Sequence, residues 1–251
     1  MSPSPELIQP DWPVPETVRA CCTTRVGGFS RERYAGFNLA GHVGDEPQNV
    51  QANRERLAGL LGLPGEPLWL SQVHGNRAIH SQQWQPGIEA DACITDQPDT
   101  VCVVMTADCL PILLYHAQAG KVAAIHAGWR GLLAGIIPET LSLAGDVSSE
   151  WLVWLGPAIS QAHFEVGEEV YVQFCDTNSS YEQAFHPSAR RSHWLLDMTT
   201  IARLQFQEAG VTAIHGSGWC TFADTEHFYS HRRDGAAGPT GRMASLIWRT
   251  E

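Results

Sequence analysis

VCVVMTADCLPILLYHAQAGKVAAIHAGWRG, residues 101–131, decides how the chain is read. Three apolar, β-branched runs (101–105, 112–115 and 122–125) are bounded by Thr-Ala-Asp, by Ala-Gly-Lys and by Ala-Gly. Runs this short between turn formers predict strand, turn, strand, turn, strand, and then the start of a helix. Cys109 sits just after the first strand and His126 at the end of the third. Both fall where a sheet hands over to a loop or helix, which is where α/β folds place ligand chemistry.

Upstream, the apolar run LWLSQV leads into His74 of SQVHGN. Residues 67–73 and 77–82 read as strands around HGN, and 86–100 as a loop with ADACITD in its middle. Residues 1–16 are Pro-rich and read as an irregular lead-in. VRACCTTRVGGFS reads as a strand ending at Arg25 with a Gly27-Gly28 turn, and 34–45, with three glycines, as a loop. Asp45 is a good N-cap for a helix over 46–61, with Pro47 in its first turn and Gly62 after its end.

Downstream, a helix is predicted over 129–144, kinked or split by Pro138. SEWLVWLGP reads as a strand, GEEVYVQFC as a short helix and 176–191 as loop-like. Asp197 caps a helix over MTTIARLQFQEAG, with Gly210 at its C-terminal end. VTAIHGSG is a strand, 222–234 a short helix and loop, GAAGPTG a turn, and RMASLIW a closing strand. Strands and helices mix without strict βα alternation. The expectation is a single α/β domain over 1–251, with layered helices packed on mixed β-sheets.

The bulk numbers exclude several classes. Sixteen basic and 27 acidic residues leave a net charge of −11. That argues against non-specific binding to nucleic acid or anionic membrane, where phosphate contacts dominate affinity. It leaves room for a small anion held by local arginines. No apolar run reaches the ~18 residues that span a bilayer, and the N-terminal stretch lacks the pattern of a signal peptide. Seven cysteines without a CxxC pair are expected to be free thiols of a reducing cytoplasm. A homodimer is allowed by this composition and not required by it.

His74, Cys109 and His126 are the candidate metal ligands. Zinc favours imidazole and thiolate, and a catalytic zinc keeps three protein ligands with the fourth position open. The spacing is long, so a buried cysteine with two satisfied histidines fits it too. Asp108, next to Cys109, could orient a ligand or act as a base; a turn-forming Asp is the plainer reading. Arg130, opening a helix, is placed to strengthen an anion site, and Arg25 beside Gly27-Gly28 follows the same logic. Asn38 and His42 flank glycines and could face a ligand. Arg232-Arg233 is either a structural element or a second anion contact. There is no GxxxxGK(S/T), GxGxxG, HExxH or GxSxG motif, and no HxH pair among the eleven histidines.

TTRVGGFS, FNLAGHVGD, NRERL, SQVHGN, ADACIT, TADCLPILLY, AAIHAGWRG, LGPAIS, FEVGEEV and SHRRDGAAGPTGRMASLIW occur in that order along the chain. Through these pieces it resembles the bacterial laccase-domain proteins, variously named polyphenol oxidase, purine nucleoside phosphorylase and peptidoglycan-editing factor. GAAGPTG is longer than the family's usual turn. The resemblance implies layered helices on mixed sheets, similar to toxin deamidases that use a Cys–His pair. It implies a metal site of His74, Cys109 and His126, read as zinc, with copper as the alternative. It further implies phosphorolysis of adenosine, inosine, guanosine and methylthioadenosine, with deamination of adenosine. Copper-dependent oxidation of phenols is the second function in view, although missing HxH pairs argue against a four-copper mechanism. A thiol hydrolase with Cys109 as nucleophile and His126 or His74 as base, suited to peptidoglycan editing, is the third.

Overall fold

The three runs of the central stretch form strands, and the two turns between them do different work. The computed structural model describes residues 4–145 and 148–251. Its strands begin with β1 (Leu7–Ile8), β2 (Val18–Thr23), β3 (Ala78–His80), β4 (Ala92–Thr95), β5 (Cys102–Thr106), β6 (Leu110–His116) and β7 (Lys121–Ala127). They continue with β8 (Trp151–Leu155), β9 (Glu165–Gly167), β10 (Phe185–Pro187), β11 (His193–Leu196), β12 (Ala213–Gly216) and β13 (Met243–Arg249). The α-helices are α1 (Pro47–Leu61), α2 (Trp129–Leu133), α3 (Ile136–Ala144), α4 (Glu168–Thr177), α5 (Met198–Glu208) and α6 (His231–Asp234).

β6 and β7 form an antiparallel pair at the centre of a six-stranded mixed sheet, ordered β12-β8-β6-β7-β4-β3. β5 belongs instead to a four-stranded antiparallel sheet, ordered β1-β2-β13-β5. The Thr-Ala-Asp turn therefore crosses from one sheet to the other, and Cys109 lies at the crossing. A third, small sheet has the order β10-β11-β9.

The side-chain period of two sorts these strands into layers. Ile112, Leu114, Ala123 and Ile125 face a core closed by Leu132, Ile136 and Leu141 of α2 and α3 and by Ile201 of α5. Leu113, Tyr115, Val122 and Ala124 face the other way and meet Cys102, Val104 and Ile247 of the four-stranded sheet. That sheet turns Val103, Met105 and Leu246 towards Leu57 of α1 and towards Phe37 and Leu39 of the 34–45 loop. All seven residues of β6 are buried, because both faces of its sheet are covered. A strand covered on both faces reads as an unbroken apolar run, as LPILLY does. This is the single α/β domain expected, with mixed and antiparallel sheets.

Several local expectations are corrected. Residues 67–73 make only isolated bridges, Leu68 to Cys102 and Ser71 to Glu89. There the Gln72 side chain replaces strand pairing, donating to Met105 O (2.8 Å) and accepting from Met105 N (2.7 Å). The supposed loop 86–100 contains β4, whose Ala, Cys, Ile and Thr are all buried. Small residues between two aspartates hide its apolar character. The helix over 129–144 divides at Gly135, whose φ of 83° no helical residue adopts. Pro138 then falls in the first turn of α3, where its missing N–H costs nothing. Asp45 does not cap α1; Glu46 holds that position without a side-chain bond. The Asp45 carboxylate is buried and accepts from Ser30 Oγ, Asn38 Nδ2 and Glu46 N. The lead-in carries β1, and β10 forms within the 176–191 stretch expected as a loop, pairing with β11 just beyond it. Asp197 caps α5 as predicted, accepting from the amides of Thr199 and Thr200.

Candidate metal centre and adjoining cavity

Three chain segments meet at one buried carboxylate. Asp91 directly precedes β4, and the β4–β7 register sets it opposite His126, whose amide donates to Asp91 O at 2.7 Å. Asp91 Oδ1 faces His126 Nδ1 at 2.8 Å and accepts from His74 N at 3.0 Å. Its Oδ2 accepts from Gly75 N at 2.8 Å and Val73 N at 3.4 Å. The carboxylate thus gathers three successive amides into a nest and holds His74 at a left-handed φ of 61°. An ionised carboxylate only accepts, so the His126 proton sits on Nδ1 and Nε2 is left as a ligand atom.

Cys109 is positioned by its neighbour. Asp108 has a φ of 91°, and its carboxylate accepts from Thr221 Oγ1 (2.7 Å), Ser230 Oγ (3.0 Å) and Arg232 N (2.6 Å). This ties the inter-sheet turn to the start of α6 and presents the thiol. One ligand atom each of His74, Cys109 and His126 then lie within 4.8 Å of one another. The two imidazoles meet edge to face, centroids 4.7 Å apart. Gly128 makes room: a Cβ there would stand 3.0 Å from Cys109 Sγ and 3.2 Å from His74 Cδ2.

The electrostatics suit a cation. Burial pushes the Cys109 thiol up, but the charge of His126 and hydrogen bonds to His126 and His74 outweigh it and bring the thiol down to about 6. Burial pushes His126 down, but the Cys109 sulfur and Asp91 outweigh that and raise it to about 9. Burial likewise works against the Asp91 charge, yet His126 and the amides of Gly75 and His74 hold its pKa low. The Cys109 and His126 shifts both favour a negative sulfur beside a protonated imidazole, and a bound cation would take the place of that imidazole proton. Two imidazoles and a thiolate, oriented by a carboxylate behind one of them, fit a zinc ion; copper accepts the same donors.

Two cavities adjoin the cluster. One, of about 280 Å³, is lined by His74 and Cys109 with Trp129, Arg130, Phe164 and Arg232. The other, of about 140 Å³, holds His42, Gln72, His126 and Arg242. His231 lines both. Arg130 lies 4.3 Å over the Trp129 ring, and Arg232 lies 5.1 Å over Phe164 while donating to Glu165 O. His42 is held below its usual pKa by burial and by the charges of Arg242 and Arg54.

The structure therefore brings His74, Cys109, His126, His42, Arg130 and Arg232 together. It does not bring in Arg25 or Asn38. Arg25 binds the carbonyls of Thr225 and Ala35 and lies over Tyr229, bordering a different hollow. Asn38 is fully buried, and its amide is spent on Ala40, Asp45 and Arg242 N. Arg233 is structural too, bound to the carbonyls of Thr221, Phe222 and Phe228 and to Asp234. Asp108 orients Cys109 through the turn it fixes, its carboxylate being taken up by Thr221, Ser230 and Arg232, while the carboxylate behind His126 is that of Asp91. Asp91, Arg242 and His231 escaped the sequence reading. Asp91 had a signal, a lone acid opening a run of small buried residues.

The model of the multi-copper polyphenol oxidoreductase laccase family matches residues 19–250. A purine nucleoside phosphorylase of Pseudomonas aeruginosa, PA4543, is 45% identical over 241 residues, covering 96% of this chain and 97% of that protein. The purine nucleoside phosphorylase YfiH of Escherichia coli is 44% identical over 97% of this chain and 98% of its own length. Among solved structures, Neisseria meningitidis protein NMB0706 superposes with a TM-score of 0.91 at 39% identity, covering 98% of this chain and 99% of that one. YlmD from Geobacillus stearothermophilus gives 0.88 at 31% identity, over 94% and 93% of the two chains. With a match over residues 19–250 that takes in every residue of the cluster, the chain belongs to the multi-copper polyphenol oxidoreductase laccase family.

Proposed function

We propose that the protein is a zinc-dependent purine nucleoside phosphorylase acting at His74, Cys109 and His126, with deamination of adenosine as a second activity of the same site. The observation that carries this reading is the 280 Å³ cavity, which sets two guanidinium groups and aromatic surface against the cluster. A phosphate and a flat purine are the two chemistries those walls recognise. Relatives of 42–45% identity are named purine nucleoside phosphorylases, which supports the same reading.

Zinc bound by His74, Cys109 and His126 would supply a Lewis acid at the cavity wall. Arg130 has no hydrogen-bond partner or ion pair among the described residues, so its donors are open to an anion. Together with Arg232 it would hold phosphate by charge-assisted hydrogen bonds against the anomeric carbon of the sugar. Phe164 and Trp129 would take the base. A phosphate oxygen then displaces the purine at that carbon. His231, on both cavities, is placed to deliver a proton to the leaving purine nitrogen. Asp91 keeps His126 in one tautomer throughout.

The test is adenosine incubated with the zinc-loaded protein, with and without phosphate. Adenine and ribose 1-phosphate appearing only with phosphate support phosphorolysis, and inosine supports deamination. An inert zinc form beside a copper-loaded form that oxidises phenols would replace this reading with the oxidase.

A further inference from the structure

A second group of nucleophilic side chains meets at a cavity away from the metal centre. The segment after β12 returns beside 158–160, with Ala158 bridged to Cys220 and Thr221 N donating to Ala158 O. This sets Cys220 Sγ 3.0 Å from Ser160 Oγ and 3.4 Å from Ser160 N. His163 Nδ1 lies 3.5 Å from Sγ and 3.2 Å from Ser160 Oγ, and its ring stacks on Phe222 at 4.6 Å. Cys220 lines a cavity of about 320 Å³ together with Gln161 and the half-exposed Trp219. Ile159 is the wall between this cavity and the one at the metal centre.

We propose that Cys220 is an oxidation site, a cysteine modified by hydroperoxides in a cavity of its own. Donors converge on the sulfur itself: a hydroxyl, the Ser160 amide, and the amides of Ala223 and Phe222. Such a ring of donors fits a negative sulfur better than a neutral thiol. Burial pushes this thiol up, and the bonds from Ser160, Ala223 and Phe222 outweigh it, leaving the pKa below the usual thiol value. The other shifted thiols outside the metal cluster, Cys21, Cys22, Cys102 and Cys175, are all pushed the opposite way, mainly by burial except for Cys102, where a bond to Cys93 is foremost.

In the reaction, a sulfur electron pair attacks one peroxide oxygen and the O–O bond breaks. Cys220 becomes a sulfenic acid, oxidised by two electrons, and the peroxide is reduced. The hydroxide released takes up the proton that the thiol gave to solvent on ionising, so thiol and hydrogen peroxide become sulfenic acid and water.

The test uses the zinc-loaded protein, one equivalent of hydrogen peroxide and dimedone, with peptide mass spectrometry to locate the adduct. The expected adduct is on Cys220 and is absent in Cys220→Ser. Ser160→Ala keeps the cysteine but should slow labelling about fivefold or more. It should also raise the pH midpoint of Cys220 alkylation by iodoacetamide, which in the parent should lie below the free-thiol value of about 8.5. An adduct on other cysteines with Cys220 unmodified, or no adduct, overturns the proposal. So does Ser160→Ala with parent rate and midpoint.

Discussion

Asp91 shows how much one buried side chain can organise. It fixes the tautomer of His126, holds His74 in a left-handed turn through backbone amides, and anchors the start of β4. Asp91→Asn keeps the shape but can donate where only an acceptor fits. Carboxylates behind metal-bound histidines are worth about 10–100-fold in affinity. Zinc affinity of Asp91→Asn, measured by competition with a chelating dye, should fall within that range, and unchanged affinity would remove Asp91 from the site. Cys109→Ala removes one of the three proposed ligands directly. It should lower bound zinc, read by elemental analysis, and phosphorolysis together, with the far-ultraviolet circular dichroism preserved. A variant with full metal and full activity would show that the assignment of Cys109 is wrong.

At the scale of elements, the site depends on where strands end. β5 and β6 belong to different sheets, so the turn between them cannot relax into a hairpin, and Asp108 locks it through Thr221, Ser230 and Arg232. Gly128, between β7 and α2, is the point at which an added methyl would press on Cys109 and His74. Gly128→Ala should reduce zinc binding measurably while leaving the melting temperature within a few degrees of the parent, since the pressure falls on the ligands and not on the core. A variant binding zinc like the parent would show that the ligands yield without loss. Helix α5 is a local device by comparison. Asp197→Ala removes two hydrogen bonds to free N-terminal amides and should cost about 1 kcal/mol in urea denaturation. A cost near zero would mean that tertiary packing holds α5 without its cap.

On the scale of the whole molecule, the candidate metal centre joins the layers. His74 comes from an irregular segment beside the four-stranded sheet, Cys109 from the crossing between sheets, and His126 from the central sheet. A cation bound only by the folded arrangement stabilises it by mass action, about 4 kcal/mol at a thousandfold excess over Kd. Zinc in such excess should therefore raise the melting temperature of metal-free protein by roughly 10 °C in calorimetry. No change would mean that the folded chain does not hold zinc there. No helix among the described residues is long and apolar enough to cross a membrane.

Reading the chain alone reached the elements whose pattern is local. The unbroken apolar runs of β6 and β7, the capped helix α5 and the strand β13 needed only burial on both faces, a capping aspartate or a short β-branched run to be visible. His74, Cys109 and His126 were legible as candidates because each stands at the end of such a run. What stayed hidden depends on neighbours distant in sequence. β4 is made of small residues whose burial comes from β7 and β3, and the break at Gly135 depends on a backbone angle that composition does not announce. Arg25 and Asn38 look like ligand contacts until tertiary partners, Tyr229 and Arg242 among them, occupy their donors and acceptors. The sequence by itself determined the kinds of atoms available to hold a cation. Only the tertiary structure decided that Asp91 stands behind His126, because that pairing is set by strand register across 35 residues and by a carboxylate that must find donors once it is buried.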